Sequence, residues 1–83
     1  MISRVRLLAQ GLVQGVGFRP FVYRLATERK LTGWVQNTSR GVVIEAQGEA
    51  IPLLDFQRAL REELPPLAHL DELTTETLPL VEA

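Results

Sequence analysis

Apolar and polar positions along this chain change period several times, and each change marks an element. Residues 3–10 alternate, with Val5 and Leu7 facing one way and Arg4, Arg6 and Leu8 the other, which predicts a strand. Residues 11–18 carry glycines instead of a periodic pattern and read as a loop. Over residues 20–30 the period lengthens: Phe21, Val22, Leu25 and Ala26 fall on one helical face, with Arg24, Glu28, Arg29 and Lys30 mostly elsewhere. Residues 33–37 read as a second strand, and Thr38 to Gly41 as a polar turn of hairpin length. Residues 42–47, led by Val42, Val43 and Ile44, form a third strand. After a break from Gly48 to Pro52, Leu53, Phe56, Leu60 and Leu64 recur at steps of three and four, a second helix over about 52–64 that Pro65 and Pro66 stop. Residues 68–77 read as a fourth strand, with Leu70 and Leu73 less regularly placed. The order β-α-β-β-α-β predicts an α+β, ferredoxin-like sandwich: an antiparallel sheet with two helices on one face. No internal repeat, linker or low-complexity tract interrupts it.

Composition narrows the chemistry. At 83 residues the chain has room for one domain and one modest core. The net charge of −1 gives no reason to expect nucleic acid or a membrane surface as a partner. Without cysteine there is no disulfide, thiolate metal site or cysteine nucleophile, and His69 as the single histidine argues against a serine triad or a multi-histidine metal site. No metal and no cofactor are expected. With no leader pattern and no apolar run of membrane-spanning length, a cytoplasmic location is the expectation.

The chemistry concentrates in residues 13–20, Val-Gln-Gly-Val-Gly-Phe-Arg-Pro. Gly15 and Gly17 can take backbone angles closed to other residues, so the chain between them can curl and aim successive N–H groups at one point. Pro20 suits a first helical position, which would make Arg19 the N-cap. Arginine offers no acceptor to the free N–H groups of a first turn. Those donors, the positive helix end and a guanidinium together suit an anion, and phosphate or sulfate fits. The expected anion-binding residues are Gln14, Gly15, Val16, Gly17, Phe18 and Arg19.

Gly-Leu-Val-Gln-Gly-Val-Gly-Phe-Arg (11–19), followed by Gly-Trp-Val-Gln-Asn-Thr (33–38), resembles the acylphosphatase family over essentially the whole chain. Within it, Arg-Pro-Phe-Val-Tyr-Arg-Leu-Ala (19–26), Gly-Val-Val-Ile-Glu-Ala-Gln-Gly (41–48) and Pro-Pro-Leu-Ala (65–68) are similar to the acylphosphatase-like N-terminal domain of the hydrogenase-maturation carbamoyltransferase. That enzyme is a large multidomain protein that uses carbamoyl phosphate and ATP. The resemblance implies that residues 1–83 are a single domain, the excised first domain of a longer polypeptide whose further domains are its partners. It implies hydrolysis of an acyl or carbamoyl phosphate, with Arg19 binding the phosphoryl group and Asn37 positioning the attacking water. A free-standing acylphosphatase and a non-catalytic module that only binds carbamoyl phosphate are the alternatives. One departure stands at the C-terminus. Free-standing members usually close with a short strand carrying a Phe-x-Ile-like pattern and a basic residue. Here the chain ends Leu-Pro-Leu-Val-Glu-Ala, which leaves a fifth strand open.

Overall fold

The computed structural model describes residues 1–82. Four strands, β1 (Ile2–Leu12), β2 (Thr32–Thr38), β3 (Gly41–Glu49) and β4 (His69–Leu78), alternate with two helices, α1 (Phe18–Glu28) and α2 (Ala50–Glu62). The strands form one antiparallel sheet in the order β2-β3-β1-β4, so the predicted β-α-β-β-α-β sandwich is the observed fold. The two longest ladders run from Ile2↔Glu49 to Ala9↔Val42 and from Arg4↔Leu78 to Leu12↔His69. The second slips register between Gln10 and Gly11, immediately before the glycine loop, and such a slip bends the strand.

Alternation along the central strands sorts their side chains. Val5, Leu7 and Ala9 of β1 and Val42, Ile44 and Ala46 of β3 are buried on the helix-covered face. Phe21, Val22 and Leu25 of α1 and Leu53, Phe56, Ala59 and Leu60 of α2 pack onto them. Each fully buried large apolar side chain there contributes roughly 1.5–3 kcal/mol of transfer free energy. The opposite face has no helix. There Glu45 accepts from both Arg4 and Arg6, at 2.8 and 2.6 Å, and Trp34 remains 43% exposed.

Both helices start two residues before the predicted position. Gly17 is the N-cap of α1, not Arg19, and Pro20 is its third residue; Pro52 is likewise the third residue of α2. All the N–H groups of a first turn lack an intrahelical acceptor, so proline is as acceptable at the third position as at the first. At the other end of α1, Arg29 lies just past the last turn and still donates to the Leu25 carbonyl at 3.1 Å. Its guanidinium also holds Asp55 of α2 at 2.9 Å, tying the helices together. Among the described residues there is no fifth strand. Instead the side-chain amide of Gln47 on β3 accepts from the Val81 N–H at 2.8 Å and donates to the Val81 carbonyl at 2.9 Å, docking the tail beyond β4.

Candidate functional site

The site begins with the backbone between β1 and α1. Gly15 and Gly17 both take left-handed angles, φ 74° and 80°, on either side of Val16. A side chain there would be strained by the torsion alone, since an added Cβ at either position would meet nothing within 4 Å. The space over this curl is therefore open. Its two ends are fixed by burial: Val13 is 2% exposed and Phe18 1%. Phe18 also packs at 5.7 Å, ring centre to ring centre, against Phe21. Burial of the Phe18 side chain thus anchors the backbone N–H that opens the helix.

That helix start is electrostatically bare. No side chain caps α1, and its first turn holds no acidic residue. The first intrahelical bond is Phe21 N–H to the Gly17 carbonyl at 3.2 Å, leaving the N–H groups of Phe18 and Arg19 without intrahelical acceptors. Arg19 is the second helical residue. Helical Cα–Cβ bonds tilt toward the N-terminus, so its side chain leaves the backbone toward the curl. It is exposed, and among the described residues it forms no ion pair or side-chain hydrogen bond. By contrast, Arg4, Arg6, Arg24, Arg29 and Arg58 all engage carboxylates.

Asn37 stands one residue from the end of β2. It pairs with Val42, which is fully buried on the helix-covered face, so Asn37 shares that face at a point where it emerges exposed. The loop and this strand end meet through one contact: the Gln14 side-chain amide donates to the Thr38 carbonyl at 2.9 Å. The structure thus gathers residues 14–19 around one curl and ties that curl to the residue next to Asn37. His69 is 73% exposed, contacts Asp71 at 3.0 Å and pairs with Leu12 at this same end of the sheet. Among the described residues no three His, Asp or Glu side chains converge as metal ligands, and no helix is long and apolar enough to cross a membrane.

The curl is a shallow cradle and not a cavity. A concavity of about 520 Å³ opens elsewhere, on the helix-free face between Trp34, Arg6 and Glu76 over a floor of Leu8 and Val43. It shares Thr38, Ser39 and Arg40 with the β2–β3 turn. Pattern reading did not indicate it, because its walls come from four segments far apart in sequence.

The comparisons agree with this geometry. The acylphosphatase family model matches residues 5–83. Carbamoyltransferase HypF2 of Cupriavidus necator is 56% identical over 73 residues, 88% of this chain but 9% of that protein. The acylphosphatase of Leuconostoc mesenteroides is 42% identical over 73 residues, 87% of this chain and 81% of that protein. The crystal structure of full-length HypF in the phosphate- and nucleotide-bound form superposes with a TM-score of 0.96 at 38% identity, covering 99% of this chain and 11% of that one. The chain therefore spans about a tenth of the length of the carbamoyltransferases it matches. The resemblance to their acylphosphatase-like N-terminal domain is borne out by these matches. By sequence along nearly its whole length, and by its fold, the chain belongs to the acylphosphatase family.

Proposed function

We propose that this domain binds the phosphoryl group of an acyl phosphate or carbamoyl phosphate and hydrolyses it to the acid and inorganic phosphate. In this reading residues 1–83 act as the first domain of a hydrogenase-maturation carbamoyltransferase in the cytoplasm, beside the further domains of the same polypeptide. The observation that carries it is the uncapped start of α1, curled at Gly15 and Gly17 and flanked by the uncommitted guanidinium of Arg19. Backbone N–H groups from Gln14 to Phe18 would hold the phosphoryl oxygens. Arg19 would add a bidentate contact that strengthens as charge spreads over those oxygens in the transition state.

An acyl phosphate has a good leaving group, so the barrier is chiefly one of placement. A water oxygen attacks phosphorus opposite the leaving carboxylate. The new P–O bond forms as the bond to the acyl oxygen breaks, and the electron pair leaves with the carboxylate, or with carbamate when the substrate is carbamoyl phosphate. The water's proton ends on phosphate or solvent. Asn37 suits the placement of that water, because its amide oxygen accepts while its NH₂ can donate. None of these steps requires a cofactor or a metal.

The test is phosphate release from carbamoyl phosphate and from acetyl phosphate, measured side by side on this chain. Release from both supports hydrolysis. A strong preference for carbamoyl phosphate supports the carbamoyltransferase setting. The 42% identity to the Leuconostoc acylphosphatase favours a second reading, a free-standing acylphosphatase, which predicts no such preference. Phosphate binding without release would leave a module that only binds carbamoyl phosphate.

A further inference from the structure

We propose that the side-chain amide of Gln14 is a positioning residue, holding Asn37 at a fixed place relative to the anion cradle by donating to the Thr38 carbonyl. The proposal rests on the hydrolytic reading above and adds to it a residue whose side chain works through another. Three observations carry it. First, the cradle is fixed to the core by apolar packing alone, through buried Val13 and Phe18 and half-buried Val16. Val13 and Phe18 are buried, while Gln14, Gly15 and Gly17 between them are exposed and an added Cβ at either glycine would touch nothing. Second, the 2.9 Å bond from Gln14 to Thr38 is, among the described residues, the only hydrogen bond that joins residues 13–17 to the β2–β3 turn. Third, the acceptor is itself immobilised. The Thr38 hydroxyl donates to the Gly41 carbonyl at 2.9 Å and accepts from the Arg40 N–H at 3.2 Å, closing the turn on itself.

The chemical consequence follows from adjacency. Asn37 and Thr38 are consecutive, so their Cα atoms are about 3.8 Å apart and a fixed Thr38 fixes Asn37. A water held by Asn37 must meet phosphorus held by the cradle, and an error near 1 Å in such an alignment costs about 10²-fold in rate. The Gln14 amide spans the two halves of that alignment.

A second glutamine supplies the internal control. Gln10 also donates its side-chain amide to this turn, to the Arg40 carbonyl at 3.2 Å. It does so from β1, whose backbone ladder already holds the start of β3 at Ala9↔Val42. Loss of the Gln10 bond leaves that ladder in place, whereas loss of the Gln14 bond leaves the cradle joined to the turn by no hydrogen bond.

The experiment compares Gln14→Met with Gln10→Met in the full chain, methionine keeping the length and removing the donor. Acetyl phosphate turnover, inorganic phosphate affinity and backbone ¹⁵N relaxation without phosphate are measured on each. Gln14→Met is expected to lower kcat about tenfold, short of the loss for a full misplacement, while the phosphate Kd stays within about twofold. It is also expected to raise motion in residues 14–17, while 37–38 stay held by the turn and by the β2–β3 ladder. Gln10→Met should leave kcat and Kd within about twofold. Three outcomes overturn the proposal: unchanged kcat in Gln14→Met, a parallel loss of kcat and phosphate affinity, or unchanged relaxation at 14–17. If the wild-type chain releases no phosphate, the hydrolytic reading fails, and the relaxation data alone decide whether Gln14 couples the cradle to Asn37.

Discussion

Glu45 and Arg4 form an ion pair at 2.8 Å on the one sheet face that no helix covers, and each side chain is only 8% exposed. Their cover comes from neighbours on the same face. Arg6 takes the other carboxylate oxygen of Glu45 at 2.6 Å, and the Gln47 amide, next to Arg4 in the ladder, docks the tail at Val81. Two guanidiniums thus share one carboxylate. Arg4 and Arg6, on one face of β1, are tied into one network by Glu45.

Removing the shared carboxylate should cost stability. Hydrogen bonds to charged groups contribute about 1.5–3 kcal/mol, so Glu45→Gln is expected to lower the unfolding free energy read from urea melts by an amount in that range at pH 7. The penalty should shrink on acidification. Hydrogen bonding from Arg6, then from Arg4, holds the Glu45 carboxyl below its usual range. A depressed folded pKa gives stability that is full above the unfolded value of about 4.3 and is lost as pH falls through the folded value. Asp55, lowered by Arg58 and Arg29, adds in the same direction. Urea melts of both proteins between pH 7 and pH 3 should converge toward the acid end. Parallel curves would show that Glu45 gains nothing from its two partners.

Lys30 follows α1 with φ 57°, in the left-handed region, as the chain reverses: Leu31 N–H donates to the Ala26 carbonyl at 2.9 Å and Lys30 N–H to Thr27 at 3.1 Å. Glycine usually fills this position because a Cβ is strained there. Lys30→Gly is therefore expected to stabilise the domain by roughly 0.5–1 kcal/mol, the relief of the left-handed torsion offset by glycine's greater unfolded-state freedom. Thermal or urea unfolding checks it, and a loss of stability would mean that the lysine stem does more in packing than its exposure suggests.

Arg19→Ala should abolish both phosphate binding and turnover. Asn37→Ala should bind phosphate nearly as the parent does and lose on the order of 10²–10³ in rate, the usual cost of one positioned polar group. The difference arises because one residue would hold charge and the other a water. Phosphate titrations of both variants decide it: equal loss of affinity would remove the division of roles.

How far the sequence revealed this arrangement depended on the kind of signal. Val5, Leu7, Val42 and Ile44 alternate, and Phe21, Leu25, Phe56 and Leu60 recur at helical spacing, so strand and helix order was legible from burial periodicity alone. Helix starts were not, because Pro20 and Pro52 are equally comfortable anywhere in a first turn. That ambiguity made Arg19 a cap when the cap is Gly17. The curl at Gly15 and Gly17 was legible because left-handed torsions select glycine. The contact from Gln14 to Thr38 was not, since a bond from a side-chain amide to a main-chain carbonyl leaves no mark on the residue that accepts it.

Hydrolysis should change little between about pH 5 and pH 8. In the proposed mechanism only a guanidinium, an amide and backbone N–H groups surround phosphorus, and no side-chain base takes the water's proton. Only one imidazole could bend the profile. His69 pairs with Leu12 at the cradle end of β4, with Asp71 at 3.0 Å. Its ring is 73% exposed, and no hydrogen bond among the described residues joins it to residues 13–19 or to Asn37. His69→Gln is accordingly expected to retain turnover within about twofold, well under the 10²–10⁴ that general acid–base catalysis supplies. A pH–rate profile of the parent and of His69→Gln makes the comparison. A steep inflection near neutrality that disappears in the variant would transfer the water's proton to His69 and replace placement by Asn37 with general-base catalysis.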